Sequence, residues 1–442
     1  MTQASAAMPG TQVLTIDHLG GGGDGVAVVD GERWFIAGAL PGEVVAVREL
    51  RRNRDGVHAV VERIDQPTAE RQAPPCPHFA DSRAPCGGCA LQHLAPSPYR
   101  DFKSELIRTA LRHRGLDNAA GSAVAEPVVT PPRSRRRVGL SAVGTYAGAV
   151  LGFQQRRSHR VVDLQDCVIA VPAITAALPA LRRALGDILR AGERAGVAVA
   201  ALDSGLTLEL TGPTRFPGRR TQQRLAALAD ELDLVHVAWR QSAARPFSEL
   251  VTRRPAVHAF GGVDVTLPYG AFLQATAAGE AAVRAVVLDA VAHNSEAVIA
   301  DLYAGCGSLT LPLARQGYRV QAHETDRAAM RALRRAARTN GLAVTGQRRD
   351  LERAPLTPGE CNRCDCVVFD PPRSGARPTA EALARSAVPR VVAVSCHPGT
   401  FARDVRILVD GGYQIDSIQP IDQFLYSSHV ELAAVLTRRG AA

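Results

Sequence analysis

The chain has 442 residues, 46% of them hydrophobic and 21% charged, the balance of a soluble globular protein with room for two or three domains. No apolar run is long enough to cross a bilayer, and residues 1–10 lack the basic start and apolar core of a secretory signal, so a cytoplasmic protein with no membrane partner is expected. The formal charge of +9, from 52 basic and 43 acidic side chains, favours a polyanionic partner; Lys103 is the only lysine, so nearly all of that charge is arginine.

Residues 12–16, 25–29, 34–37, 44–48 and 57–64 read as five short strands, with turns at 20–25, 30–31 and 41–42. That spacing suits a small OB-type β-barrel over residues 10–66. A proline-rich link over 67–75 leads into a cysteine segment, and 98–115 predicts an amphipathic helix able to pack on the C-terminal domain. Mixed strands and helices at 174–191 and 221–234 fill a central α+β domain over 75–262. From about 265 the rhythm becomes strand–helix alternation. Strands are predicted at 297–302, 319–324, 366–370 and 391–396, and helices at 309–316, 327–340 and 379–387. Segments 413–420 and 430–437 read as a closing antiparallel pair. The chain is thus an α/β multidomain protein whose C-terminal part, 263–442, is a Rossmann-like doubly wound domain binding its ligand at the carboxyl ends of the strands.

The first of those strands runs into Asp301, Tyr303, Gly305, Gly307 and Ser308, a glycine turn that lets backbone approach a ligand. Glu324 ends the next strand, where a carboxylate can accept hydrogen bonds from ribose hydroxyls. A dinucleotide fingerprint requires a third glycine at 310, and Thr310 stands there, so S-adenosylmethionine fits better than a nicotinamide dinucleotide. A bare glycine turn in an ordinary α/β domain is the plainer alternative.

Two later strands end in Asp370-Pro371-Pro372-Arg373 and in Cys396-His397-Pro398, which a doubly wound fold brings to one crevice. A thiolate there has a chemical use. Carbon 5 of a pyrimidine is too electron-poor to attack a methyl sulfonium until a nucleophile adds to carbon 6, and a base must then remove the C5 proton. Glu431 is the candidate base. Singly, each has a plain reading, a small buried hydrophobe for Cys396 and a surface carboxylate for Glu431. Upstream, Cys76, Cys86, Cys89 and the distant Cys167 could surround a [4Fe–4S] cluster or bind tetrahedral zinc, and spacing leaves both open. Cys361, Cys364 and Cys366 resemble a metal knuckle without a fourth ligand and read as a plain loop.

Cys396, Asp370 through Arg373, the glycine turn and His429-Val430-Glu431 together resemble the TrmA/RlmD family of uracil-C5 RNA methyltransferases, and the resemblance covers nearly the whole chain. It implies an N-terminal TRAM barrel, Cys396 as nucleophile and Glu431 as base. Cofactor contacts are implied at Gln274, Tyr303, Glu324 and Asp370, with Ser308 and Asp350 at two further positions of the S-adenosylmethionine site. It also favours an iron–sulfur cluster on the four upstream cysteines. The family usually has asparagine where His397 stands, and Phe-Cys where Tyr303-Ala304 stand. Arginine clusters at 51–54, 133–137 and 156–160 are expected to grip RNA phosphates while the target base is flipped out.

The expected activity is 5-methyluridine formation in RNA by a monomeric enzyme. The barrel and cysteine segment lean toward large-subunit ribosomal RNA over tRNA. Cytosine-C5 methylation is the second enzymatic reading, but it usually places a cysteine in the Pro-Pro motif where Arg373 stands. A non-catalytic iron–sulfur RNA-binding factor is the alternative from another class.

Overall fold

A computed structural model describes residues 11–80, 85–117, 123–212, 217–291 and 296–440. The first sheet has six strands, β1 (Thr11–Thr15), β2 (His18–Leu19), β3 (Gly25–Val29), β4 (Glu32–Ala37), β5 (Val44–Asn53) and β6 (Gly56–Gln66), in the order β1-β5-β6-β4-β3-β2. Alternating residues of these strands, among them Leu14, Trp34, Ile36, Val45, Val47 and Val57, enclose one core, as in a barrel-like domain. Gly56 closes the β5–β6 hairpin at φ +134°, where a Cβ would stand 2.1 Å from the Arg33 carbonyl oxygen.

Helix α1 (Pro96–Arg112) starts on a proline at its first position, where a missing N–H costs nothing. The second sheet joins β8 (Arg137–Thr145), β9 (Gly148–Gly152), β10 (Arg194–Leu202), β11 (Gly205–Thr211), β12 (His236–Arg240) and β13 (Ser248–Thr252), preceded in the chain by β7 (Val128–Val129), which belongs elsewhere. Helices α2 (Pro172–Ile188) and α3 (Arg219–Glu231) cover one face of it, and a hairpin of β14 (Val257–Phe260) and β15 (Val263–Thr266) follows.

The third sheet positions the site. Its parallel strands are β16 (Val298–Leu302), β17 (Arg319–Glu324), β18 (Val344–Arg348), β19 (Cys366–Phe369) and β20 (Arg390–Ser395). The pair β21 (Tyr413–Asp422) and β22 (Glu431–Arg438) closes it, β22 running antiparallel to β20, and β7 adds an eighth strand beside β21. The order β18-β17-β16-β19-β20-β22-β21-β7 reverses direction of travel after β16, which opens a crevice at the carboxyl edge. Around the sheet lie α4 (Ala277–Val291), α5 (Thr310–Arg315), α6 (Arg327–Thr339), α7 (Arg377–Ala384) and α8 (Pro398–Asp410), and α1 packs against α8. Asp326 caps α6 by accepting from the Ala328 and Ala329 N–H groups at 2.8 and 2.7 Å. Among the described residues no helix is long and apolar enough to cross a membrane.

Candidate active site

Most of the cofactor and catalytic candidates of the C-terminal domain stand at or just beyond the carboxyl edge of the third sheet. Tyr303, Gly305, Gly307 and Ser308 follow β16; Glu324 ends β17; Asp350 follows β18; Asp370 follows β19; and Cys396 follows β20. Because β22 is antiparallel, its first residue, Glu431, arrives at that same edge. The pairing of Ser395 with Leu432 carries Cys396 next to Glu431. Sheet register alone therefore brings the proposed nucleophile and base together.

Their environment is acidic, and Glu431 is withdrawn from solvent. Glu431 is 3% exposed, and burial, reinforced by the neighbouring Asp370 charge, pushes its carboxyl up to about 8. Asp370 is pushed up to about 6 by burial, offset by the hydrogen bond from Gln274. Burial also raises the Cys396 thiol, with Glu431 and Asp370 adding to the rise and the Arg373 guanidinium opposing it. Asp301, buried and hydrogen-bonded by Thr310 Oγ1, is lifted to about 7.

A chain of amides ties these groups. Gln274 Nε2 donates to Asp370 Oδ2 at 3.2 Å, and Gln423 Nε2 donates both to Gln274 Oε1 at 2.7 Å and to Glu431 Oε2 at 2.9 Å. Gln423 Oε1 accepts the Ala275 N–H at 2.8 Å, which fixes the orientation of that amide. Among the described residues Glu431 Oε1 has no hydrogen-bond partner, which leaves it a buried acceptor able to take a proton. Gln423 carries no motif and was not legible in the sequence; it comes from the connection between β21 and β22.

In the glycine turn, the Gly305 N–H donates to Glu324 Oε2 at 2.9 Å, and Glu324 Oε1 accepts from the Asp326 N–H. Tyr303 adopts φ +64°, a left-handed conformation uncommon for a bulky residue and typical of strained functional turns. Its hydroxyl donates to Glu352 at 3.3 Å. Asp350 is exposed and accepts the Glu352 and Arg353 N–H groups, and Ser308 is half-buried. His397 serves as the N-cap of α8, its Nδ1 accepting the Thr400 N–H at 3.2 Å, a role an asparagine would also fill.

Two groups beside the crevice add to the set. The Arg137 guanidinium lies 4.7 Å from the ring centroid of Phe272, which is 59% exposed, and its charge acts on both Cys396 and Glu431. Cys396 also opens on a groove of about 1380 Å³ between the first sheet, α1 and the crevice, lined in part by Arg33, Phe35, Arg108, Arg112 and Arg373. Several expected RNA-binding arginines pair with carboxylates of the chain, Arg136 in the interior and Arg52 on the surface. Arg136 is buried and bonds Glu280 and the Gln274 carbonyl, Arg156 and Arg157 pair with Asp24, and Arg52 pairs with Glu32 and Glu49.

Cys76, Cys86, Cys89 and Cys167 come together around one small enclosed space, with Phe79, Phe153 and Leu164 completing its wall. Among the described residues no group of three or more His, Cys, Asp or Glu side chains is arranged to hold a metal ion. Cys361, Cys364 and Cys366 are simply buried thiols.

The family model described as tRNA (uracil-5-)-methyltransferase matches residues 266–439. An RNA methyltransferase of Brucella suis is 42% identical over 97% of this chain and 98% of its own. The 23S rRNA (uracil(1939)-C(5))-methyltransferase RlmD of Halomonas elongata is 34% identical over 100% of this chain and 92% of its own. Among solved structures, the tRNA (uracil-54, C5)-methyltransferase of Pyrococcus abyssi in complex with S-adenosyl-L-homocysteine superposes with a TM-score of 0.71 at 22% identity, covering 96% of this chain and 100% of that one. With whole-length identity at this level, the chain belongs to the RNA (uracil-C5) methyltransferase family.

Proposed function

We propose that this protein methylates carbon 5 of a uridine in RNA, with Cys396 as nucleophile, Glu431 as base and S-adenosylmethionine as methyl donor. The observation that carries the reading is the antiparallel register that sets Cys396 beside Glu431, with the free Glu431 Oε1 unpartnered. Gln274, Tyr303, Gly305, Gly307, Ser308, Glu324, Asp350 and Asp370 would hold the donor along the carboxyl edge. Glu324 suits the ribose hydroxyls, and the clustered carboxylates suit a cation. When bound, that donor supplies an electrophilic methyl group.

The Cys396 thiolate forms a bond to C6 of the uracil, and the displaced electron pair makes an enolate with nucleophilic character at C5. C5 takes the methyl group as the bond that held it to the donor sulfur breaks, its electron pair remaining on that sulfur. Glu431 Oε1 then accepts the C5 proton, the electron pair returns to the C5–C6 bond, and the C6–sulfur bond breaks to restore the thiolate. Gln423 holds the other carboxylate oxygen throughout and so aims the free one. The Arg137–Phe272 stack offers a flat cationic platform for a flipped base, and the groove beside Cys396 suits the flanking strand.

The reading extends to the substrate and the cysteines. Large-subunit ribosomal RNA is favoured over tRNA by full-length likeness to the Halomonas elongata RlmD protein. The four thiols line one small space, and the likeness to the family favours a [4Fe–4S] cluster there over a tetrahedral zinc ion. The half-buried Arg135 and Arg156 guanidiniums, whose charges act on Cys167 and Cys89 and on Cys89 respectively, would offset the thiolates. The first sheet suits a TRAM barrel. Nucleoside mass spectrometry of separated rRNA and tRNA, with and without the gene, tests the assignment. Loss of one 5-methyluridine from rRNA is expected, loss from tRNA alone would reassign the substrate, and an unchanged profile in both would refute the activity.

A further inference from the structure

The connection between β21 and β22 carries both Gln423 and the entry to Glu431, so its geometry sets where the base oxygen points. That connection is held from outside by two segments distant in sequence. From α1, the Tyr99 hydroxyl donates to Asp422 Oδ2 at 2.5 Å and accepts the Tyr426 N–H at 2.7 Å. Lys103, fully buried and the only lysine in the chain, donates to Asp422 Oδ1 at 2.8 Å, to the His429 carbonyl at 2.5 Å and to the Phe424 carbonyl at 3.5 Å. All three ammonium protons are thus used to staple the two ends of the connection together. From the cysteine segment, the Ala90 and Leu91 N–H groups, immediately after Cys89, donate to the Tyr426 carbonyl at 2.7 and 3.0 Å.

Tyr426 sits at φ +60°, in the left-handed region that a non-glycine residue keeps only when its surroundings over-determine it. Here three hydrogen bonds do so, two of them from the cysteine segment. Burying an ammonium is also costly and depresses the Lys103 pKa, so the triad of Tyr99, Lys103 and Asp422 is a poor device for stability alone. It is a good device for fixing one loop geometry.

We propose that Tyr99 and Lys103 are positioning residues for Glu431, and that the cysteine segment acts on the reaction through Tyr426 by holding the base in place rather than by gripping RNA. The inference rests on the assignment of Glu431 as base. The path runs from Ala90 and Leu91 to Tyr426, through the stapled connection to Gln423, and on to Glu431.

The chemistry supplies a readout that a merely structural role would not move. If the C5 proton is not removed, the methylated base stays bonded to the Cys396 sulfur, and an SDS-resistant protein–RNA complex accumulates. The test uses the full chain, purified without oxygen, with S-adenosylmethionine and RNA extracted from cells lacking the gene. Glu431→Gln should accumulate the methylated complex, whereas wild type should not. Tyr99→Phe and Cys89→Ala should each accumulate it and lose about tenfold in turnover, the size of one displaced buried hydrogen bond. RNA affinity and S-adenosylhomocysteine affinity should stay within about twofold of wild type, well under one such bond. Tyr99→Phe removes a single oxygen and keeps the test decisive if Cys89→Ala fails to fold. Slower turnover of Tyr99→Phe without the complex, or with weakened RNA binding, overturns the inference while leaving Glu431 as base. Absence of the complex in Glu431→Gln overturns the base assignment itself, and the inference with it.

Discussion

Replacing Glu431 by Gln should stabilise the protein, and increasingly so as pH rises. The carboxyl of Glu431 moves from an ordinary 4.5 in the unfolded chain to about 8 in the fold. A group whose folded pKa is raised contributes stability that is fully present below its unfolded pKa and lost as pH climbs toward the folded one. The slope is about 1.4 kcal/mol per pH unit, so between about pH 5 and pH 8 the fold should lose on the order of 3 kcal/mol through this one side chain. Glutamine keeps the shape, accepts from Gln423, and never ionises. The difference in melting temperature between Glu431→Gln and wild type should widen across that range, each kcal/mol being worth about 2–4 °C in a domain of this size. Calorimetry on the ligand-free protein, followed through the transition of the methyltransferase sheet, measures it. A gap that stays constant with pH would show that Glu431 is not held in a charge-excluding site, and the electrostatic argument for its role would go with it.

Cys396→Ser should lower turnover on the order of 10⁴-fold or more while S-adenosylhomocysteine still binds, because an alcohol at this site cannot replace the thiolate; retained turnover would refute the nucleophile. In wild type, kcat/KM should climb with pH up to about 8 and beyond, since both Glu431 and the raised Cys396 thiol must lose a proton. In Glu431→Gln, formation of the covalent complex should begin at lower pH than in wild type, because an anion that raises the thiol has been removed; a shift the other way would contradict the pairing. Gly307→Ala should cost about 1–3 kcal/mol and weaken cofactor binding, since its φ of +100° is strained and the new Cβ would stand 2.9 Å from Leu311 Cγ. Gly305→Ala, at φ +53° with open space around it, should cost about 1 kcal/mol; thermal melts and S-adenosylhomocysteine titrations of the two variants should separate them.

The crevice was legible because its parts sit where strands end, and buried strands such as Val391–Ser395 announce themselves as apolar β-branched runs. Several elements of the same domain carry little signal in the sequence. Helix α4 is built of alanine and valine on nearly every side, so no helical period stands out. Helix α8 begins inside the motif read for its cysteine, and β18 is a partly exposed edge strand with little apolar signal. The arginine runs misled in part: charge patterning cannot tell Arg136, buried on Glu280, from an arginine free to meet a phosphate. Gln423, Tyr99 and Lys103 lay beyond reach for a different reason. The Gln274 partner of Gln423 and the Asp422 partner of Tyr99 and Lys103 are 149, 323 and 319 residues away in sequence, and only the fold brings them together.

Three carboxyl groups held high in one crevice, Asp301 at about 7, Asp370 at about 6 and Glu431 at about 8, make a site that is costly when empty and charged. A cation in that crevice would lower all three, so its binding must release protons and must tighten as pH rises. The methyl donor is a sulfonium cation, whereas its demethylated product carries a neutral thioether. Affinity for S-adenosylmethionine should therefore increase between about pH 6 and pH 8, and affinity for S-adenosylhomocysteine should change far less. Calorimetric titrations in two buffers of different ionisation enthalpy count the released protons directly. Net release with the donor and little with the product is the expected pattern, and it would give the enzyme a means of discharging product without moving the loop that holds its base. Equal pH dependence for the two ligands would mean that the sulfur does not sit within the field of these carboxylates, and the acidity of the crevice would then need another explanation.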